Sequence, residues 1–306
     1  MKKIKTGILG LDGLLDGGFN EHSASILVGS AGTGKTTMAL QFIKKGLELG
    51  GDAKSSEQGS DAIYITLEES KEQIMAEARS MGWEDIGDYV DSGSLVFLEA
   101  AGKDLADFIK EELPEFVDDW KGSNARIAID PLTPVIWAFD DKYDQRMLIS
   151  QLFKETKKVG TVLSTIEEYS GEGGEETVIP MYLADNIIRI FTVPGTGNRM
   201  VNVLKTRQSW HSEVTYPYRF VLGIGIVVDT SELDGKRIKK LTPDLKLSIS
   251  NAMATLPKRD ADQIKNVMKY LERADLGDME PEQIVRMLIE DYKSDGRSPD
   301  EPGGAM

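Results

Sequence analysis

Short apolar runs bounded by turn residues alternate along the chain with longer segments whose apolar residues recur at helical spacing. That is the signature of an α/β fold on a mainly parallel, twisted sheet. The spacing predicts strands at Ser25–Val28, Ala62–Leu67, Leu95–Leu98, Arg126–Ile129, Thr161–Ser164 and Asn186–Phe191. Between the first two, Thr36–Leu49 sets Met38, Ala39, Phe42, Ile43 and Leu47 on one helical face and stops at Gly50-Gly51, a helix-ending pair. Ser70 followed by Gln73 forms a capping box for a helix running to about Met81. Asp104–Trp120 and Tyr143–Lys158 read as further helices, the second ending at Gly160.

Past residue 186 strand follows strand: Asn186–Val193, Met200–Thr206 and Arg219–Val228, with Pro194-Gly-Thr-Gly197 as the first turn. The sheet is therefore expected to gain antiparallel strands late. From Leu245 the pattern turns helical, with Asp260–Ala274 and then a helix capped by Asp278, carrying Pro281 in its first turn and running to about Tyr292. Ser294–Met306 has almost nothing to bury and is expected to be disordered. The chain thus divides into a core at 1–245, a small C-terminal helical extension at 246–293 and a loose tail at 294–306.

Composition narrows the chemistry. The 306 residues, 40% of them hydrophobic, can bury a sizeable core. Lys and Arg number 36 against 51 Asp and Glu, a net charge of −15 that repels phosphate backbones and anionic lipid. The absence of Cys excludes disulfides, thiolate zinc sites and cysteine nucleophiles, and only His22 and His211 supply imidazole. The longest apolar stretch, Phe220–Val228, is too short to span a bilayer, and the N-terminus shows no signal-peptide pattern. A cytoplasmic location without membrane attachment is the expectation.

Gly29-Ser30-Ala31-Gly32-Thr33-Gly34-Lys35-Thr36 fits the phosphate-loop spacing and sits between a predicted strand and a predicted helix. Its glycines let consecutive backbone N–H groups turn inward around phosphates, and the helix N-terminus adds partial positive charge. Lys35 is placed to reach the β- and γ-phosphates and the Thr36 hydroxyl to hold Mg²⁺. At the end of the strand Arg126–Asp130, Asp130 reaches the sheet edge where α/β folds bind ligands, as a second Mg²⁺ contact or as the start of the Pro131 turn. Glu68 and Glu69 end another strand at that edge. Adjacent carboxylates there suit a cation or a polarised water, the alternative being an acidic first turn for the next helix.

These elements occur in order with Thr6-Gly-Ile-Leu-Gly-Leu-Asp12, Gly17-Gly18, Ile129-Asp-Pro-Leu-Thr133, Leu183-Ala-Asp-Asn-Ile-Ile-Arg-Ile190 and Lys205-Thr-Arg-Gln-Ser-Trp-His211. Together, from about residue 4 to residue 229, they resemble a KaiC-type ATPase of the RecA superfamily. The resemblance implies a RecA-like P-loop NTPase core that binds and hydrolyses ATP with Mg²⁺, nucleotide contacts extending through Thr37, and a homohexameric ring with ATP between subunits. It makes Glu68 and Glu69 the water-activating pair. Lys205 and Arg207 become cations reaching the neighbouring subunit's triphosphate, with His211 nearby. Read by themselves, Lys205 and Arg207 alternate along a strand, a pattern that for isolated charges favours an ordinary solvated face, and His211 alone is more often structural than catalytic.

The pattern also departs from the clock proteins of that family, which carry tandem ATPase halves. Only one phosphate loop is present. Where their phosphorylated half has adjacent Ser and Thr acceptors, Val178–Ala184 has neither, so autokinase activity is not expected, and Thr177 is the nearest hydroxyl. Two other functions remain on the same fold. A DNA-dependent recombinase or helicase motor would need cations in the loops 138–144 and 167–176, which instead are rich in carboxylates. A nucleotide-dependent assembly scaffold with very slow turnover would present its late helices to an unidentified protein partner, through the stripes Ile264, Val267, Met268, Leu271 and Ile284, Val285, Leu288, Ile289, although such stripes more often simply pack on the parent domain.

Overall fold

The computed structural model describes residues 1–50, 61–100, 102–139, 141–168, 178–230, 251, 254 and 281–294. Central strands form where β-branched and aliphatic runs are buried on both faces, and outer strands keep partly exposed positions. The strands are β1 (Lys3–Ile4), β2 (Phe19–Asn20), β3 (Ala24–Gly29), β4 (Ala62–Thr66), β5 (Leu95–Glu99), β6 (Ala125–Asp130), β7 (Gly160–Glu167), β8 (Asn186–Thr192), β9 (Arg199–Thr206), β10 (Tyr216–Val221) and β11 (Gly225–Val228). β1 and β2 make a small antiparallel ribbon, and the rest form a nine-stranded sheet in the order β11-β10-β9-β8-β3-β7-β6-β4-β5.

The central strands run parallel, as their unbroken burial requires. Their alternating side chains feed two cores. One face packs Leu27, Tyr64, Ala128 and Leu163 against Met38, Phe42 and Leu47 of the helix Lys35–Gly50. The other packs Ile26, Ile63, Ile127 and Val162 against the helices Gly102–Glu111, Leu113–Trp120 and Lys142–Val159. The register sets Thr66 beside Asp130 and Gly29 beside Glu167, so one sheet edge collects the C-terminal ends of β3, β4, β6 and β7.

The expected α/β class, with its parallel centre and late antiparallel strands, is observed. Three details differ. The run Asp104–Trp120 is two helices rather than one, because Pro114 cannot continue a helix interior and instead sits in the first turn of the second. β8 still runs parallel to β3, and the antiparallel section starts only with β9. Arg219–Val228 is a hairpin rather than one strand: β10 and β11 pair antiparallel, and Gly223 and Gly225 take φ of 81° and 101° at the turn.

The capping box is formed as expected. Ser70 accepts from the Gln73 N–H, and Gln73 Oε1 accepts from the Ser70 N–H at 2.8 Å, opening the helix Lys71–Ser80. The helix Pro281–Ser294 buries Ile284, Val285 and Ile289. Lys45 Nζ, on the helix Lys35–Gly50, donates to Asp291 Oδ2 at 2.7 Å, and Lys5 Nζ lies 4.0 Å from both Asp291 and Asp12. This part of the predicted late stripe is thus packed on the parent domain. The helix expected at 260–274, its companion's cap at Asp278 and the tail at 295–306 lie outside the described residues. Among the described residues no helix is long and apolar enough to cross a membrane.

Candidate functional site

β3 ends in Gly29, the loop 30–34 reverses the chain, and Lys35 opens the following helix. Gly32 and Gly34 have φ of 74° and 94°, backbone that L side chains rarely adopt. Gly29 is glycine for a different reason: a Cβ there would meet the Ile190 carbonyl oxygen at 2.6 Å. Thr33 Oγ1 donates to the Ser30 carbonyl at 2.7 Å, and Tyr218 from β10 donates its hydroxyl to the Thr33 carbonyl at 2.5 Å. The ring of Phe220 lies under Gly34. The β10–β11 hairpin therefore buttresses the phosphate loop.

Lys35 is almost fully buried, donates to the Ser30 carbonyl at 3.1 Å and lies 3.7 Å from Glu167 Oε1. It lines a cleft of about 410 Å³ together with Thr36, Thr37, Glu68, Glu69 and Asp130. Asp130 is held in place by hydroxyl donors: Tyr64 Oη at 2.7 Å, and Thr165 Oγ1. Burial, reinforced by Asp130, pushes the Tyr64 phenol well above its ordinary range, keeping it a donor.

Glu68 and Glu69 are exposed at the mouth of this cleft. Their segment is anchored where Thr66 Oγ1 donates to the Glu69 carbonyl at 2.6 Å and the Leu67 N–H to the Asp130 carbonyl at 3.2 Å. Partial burial, with Glu167 and Asp130 adding negative charge, raises the Glu68 carboxyl above the ordinary carboxylate range, and Lys35 works against them. Besides the Lys35 ammonium, the polar side chains lining the cleft offer only oxygen: the Thr36 and Thr37 hydroxyls and the carboxylates of Glu68, Glu69, Glu77, Asp130 and Glu167. That set suits a hard cation such as Mg²⁺, which keeps several waters and needs few protein ligands. Asp130, its oxygens already engaged by Tyr64 and Thr165, fits contact through metal-bound water.

Lys205, Arg207 and His211 are not brought to this cleft. Lys205 pairs with Ile187 near the start of β8, whereas the phosphate loop follows Gly29, which pairs with Ile190. The offset along the sheet is roughly 10 Å from this register alone. Lys205 Nζ donates to the carbonyls of Met181, Tyr182 and Ala184, and Arg207 Nη2 to that of Tyr182 at 2.8 Å, so both cap the helix Val178–Leu183. Burial and the neighbouring Arg207 lower the Lys205 ammonium, and Asp185 works against them. His211 Nδ1 lies 3.1 Å from Thr206 Oγ1, on a second hollow of about 580 Å³ that it lines with the exposed Trp210.

Sequence reasoning passed over several members of the cleft. Glu167 counted only as loop acidity, yet β7 delivers it to Lys35. Glu77 accepts from Thr37 Oγ1 at 2.6 Å. Burial raises its carboxyl, the Thr37 hydrogen bond opposes this, and Glu69 and Asp130 add to the rise. The signal was available: Glu77 falls on the buried stripe between Ile74 and Ala78, where a carboxylate is costly without a partner.

The geometry stands beside known proteins. The family model described as "ATPase: KaiC" matches residues 4–232. Circadian clock oscillator proteins KaiC from Prochlorococcus marinus and from Thermostichus vulcanus are 29% and 30% identical over 80% and 74% of this chain. The matched regions are 50% and 44% of those proteins, so the chain spans about half the length of the curated relatives it matches. A solved KaiC-like protein from the hyperthermophilic archaeon Pyrococcus horikoshii OT3 superposes with a TM-score of 0.58 at 26% identity, covering 74% of this chain and 99% of that one. With a match running through the phosphate loop, the Glu pair, Asp130 and the antiparallel strands, the chain belongs to the KaiC family of ATPase domains, with a RecA-like fold.

Proposed function

We propose that this domain binds ATP with Mg²⁺ in the phosphate-loop cleft and hydrolyses its terminal phosphoanhydride, as one subunit of a homohexameric ring that reports nucleotide state to a protein partner. The observation that carries the reading is the convergence of Lys35, Thr36, Glu68, Glu69 and Asp130 on one cleft at one sheet edge. The inward-turned loop amides and Lys35 hold the triphosphate, and Thr36 with Asp130 would hold Mg²⁺, which neutralises charge on the β- and γ-oxygens when bound. Glu68 and Glu69 orient the attacking water and accept its proton, and the raised affinity of Glu68 for a proton suits a base. No nucleic-acid substrate is part of the proposal.

Lys205 and Arg207 supply the shared half of the site. In their own subunit they lie away from the phosphate loop, at the end of β9 and just beyond it, beside the start of β8. That placement supports action on the nucleotide of the neighbouring subunit. A cation supplied in trans contributes on the order of 10³ to 10⁵ in rate to phosphoryl transfer. The test is subunit mixing. Arg207→Ala and Glu68→Gln/Glu69→Gln chains, each inactive alone, should regain ATPase activity when co-assembled. A mixture that merely sums its parts refutes the shared site.

A further inference from the structure

The helix that follows the Glu pair is tied to the helix that follows the phosphate loop by a side-chain bond from Thr37 Oγ1 to Glu77 Oε1 at 2.6 Å. Thr37 is next to Thr36 in the first turn of Lys35–Gly50, and Glu77 is on Lys71–Ser80, whose capping box starts immediately after Glu68-Glu69. The Glu-pair segment is held to β6 through Leu67 and Asp130 and closed on itself through Thr66 and Glu69. The Glu77–Thr37 bond fastens its far end to the element that carries Lys35 and Thr36. Both partners line the same cleft.

We propose that Glu77 is a positioning residue for hydrolysis: by holding the Thr37 hydroxyl it fixes the distance between the Glu68-Glu69 segment and the phosphate loop. Glu77 itself touches neither the reacting phosphate nor the water. The inference rests on the ATPase reading above. A carboxylate on the stripe between the buried Ile74 and Ala78, close to Glu69 and Asp130, crowds negative charge that a purely packing residue at this position would avoid. The hydrogen bond it makes is what that position gains in return. Because near-attack geometry is sensitive to displacements of about 1 Å, worth up to 10²-fold in rate, a loosened tie acts on turnover rather than on nucleotide affinity.

The experiment measures kcat, KM for Mg–ATP, fluorescent-nucleotide affinity and thermal midpoint on the full chain. Glu77→Ala should lower kcat by about 10- to 100-fold with KM and nucleotide affinity unchanged, and Thr37→Val, at a residue that also lines the nucleotide cleft, should lower kcat by a similar factor. The double variant should be no slower than either single one, as expected for residues acting through one bond. Glu77→Gln keeps an acceptor oxygen and Thr37→Ser keeps the hydroxyl, so both should restore most of the rate. The proposal is overturned if Glu77→Ala changes only the thermal midpoint, if Gln is as slow as Ala, or if the losses multiply in the double variant. A wild-type chain that binds ATP and never releases phosphate removes the ATPase reading and this one together. A wild type that turns over with Glu77→Ala unaffected removes this one alone.

Discussion

Two glycines of the phosphate loop are glycine for different reasons, and that difference can be measured. At Gly32 (φ 74°) a Cβ would meet nothing within 4 Å, so Gly32→Ala carries only the backbone cost of the left-handed region, about 1–2 kcal/mol. At Gly34 (φ 94°) the same cost applies, and the new methyl would also lie 2.5 Å from Phe220 Cζ and 2.9 Å from Ile226 Cδ1. Overpacking of this kind costs roughly a further 1–3 kcal/mol. Gly34→Ala should therefore lose about 2–5 kcal/mol in total and displace the adjacent Lys35. Urea unfolding followed by tryptophan fluorescence gives the stabilities, and titration with a fluorescent ATP analogue gives the affinity. Replacing the ring by Phe220→Leu should recover part of the Gly34→Ala loss and none of the Gly32→Ala loss. Equal costs at the two positions, or no recovery with Phe220→Leu, would refute the buttressing role given to the hairpin.

Other expectations follow from the charged groups. Burial pushes the Asp12 carboxyl from 3.8 up to about 6, Asp291 adds to this, and the Thr6 hydrogen bond and Lys5 oppose it. Between those pH values the folded chain keeps a proton that the unfolded chain has lost, so this group's contribution to stability falls as pH rises through the window, by about 3 kcal/mol. The stability of wild type minus that of Asp12→Asn should drop accordingly from pH 4 to 6.5, whereas parallel curves would contradict the burial assigned to Asp12. Asp291→Ala removes the 2.7 Å partner of the buried Lys45 and should destabilise the chain by about 3 kcal/mol, while Lys45→Met with Asp291→Leu should come close to wild type in urea melts. Single- or double-stranded DNA should leave the ATPase rate unchanged at physiological salt, and clear stimulation would revive the motor reading.

Much of the site was legible in the chain because it depends on local order. The phosphate loop is a contiguous strand–turn–helix spacing, and Glu68, Glu69 and Asp130 stand at strand ends, which the parallel register gathers on one edge. What escaped depends on partners distant in sequence. Tyr64 and Thr165 look like ordinary strand residues until β4, β6 and β7 lie side by side and aim both hydroxyls at Asp130. The hairpin within Arg219–Val228 was masked by strand-forming residues on both sides, although Gly223 and Gly225 marked the turn. Pro114 likewise marked the break that apolar periodicity ran across. The direction of β8 follows from the crossover after β7, which no hydrophobic pattern encodes.

The most direct measurement is phosphate release by the Glu68→Gln/Glu69→Gln chain at saturating Mg–ATP, with bound nucleotide quantified in the same sample. Loss of water activation predicts full nucleotide occupancy and release slowed by about 10²- to 10⁴-fold relative to wild type. Release at the wild-type rate with the same occupancy would contradict the catalytic role of the Glu pair, and with it the hydrolytic function proposed for this cleft.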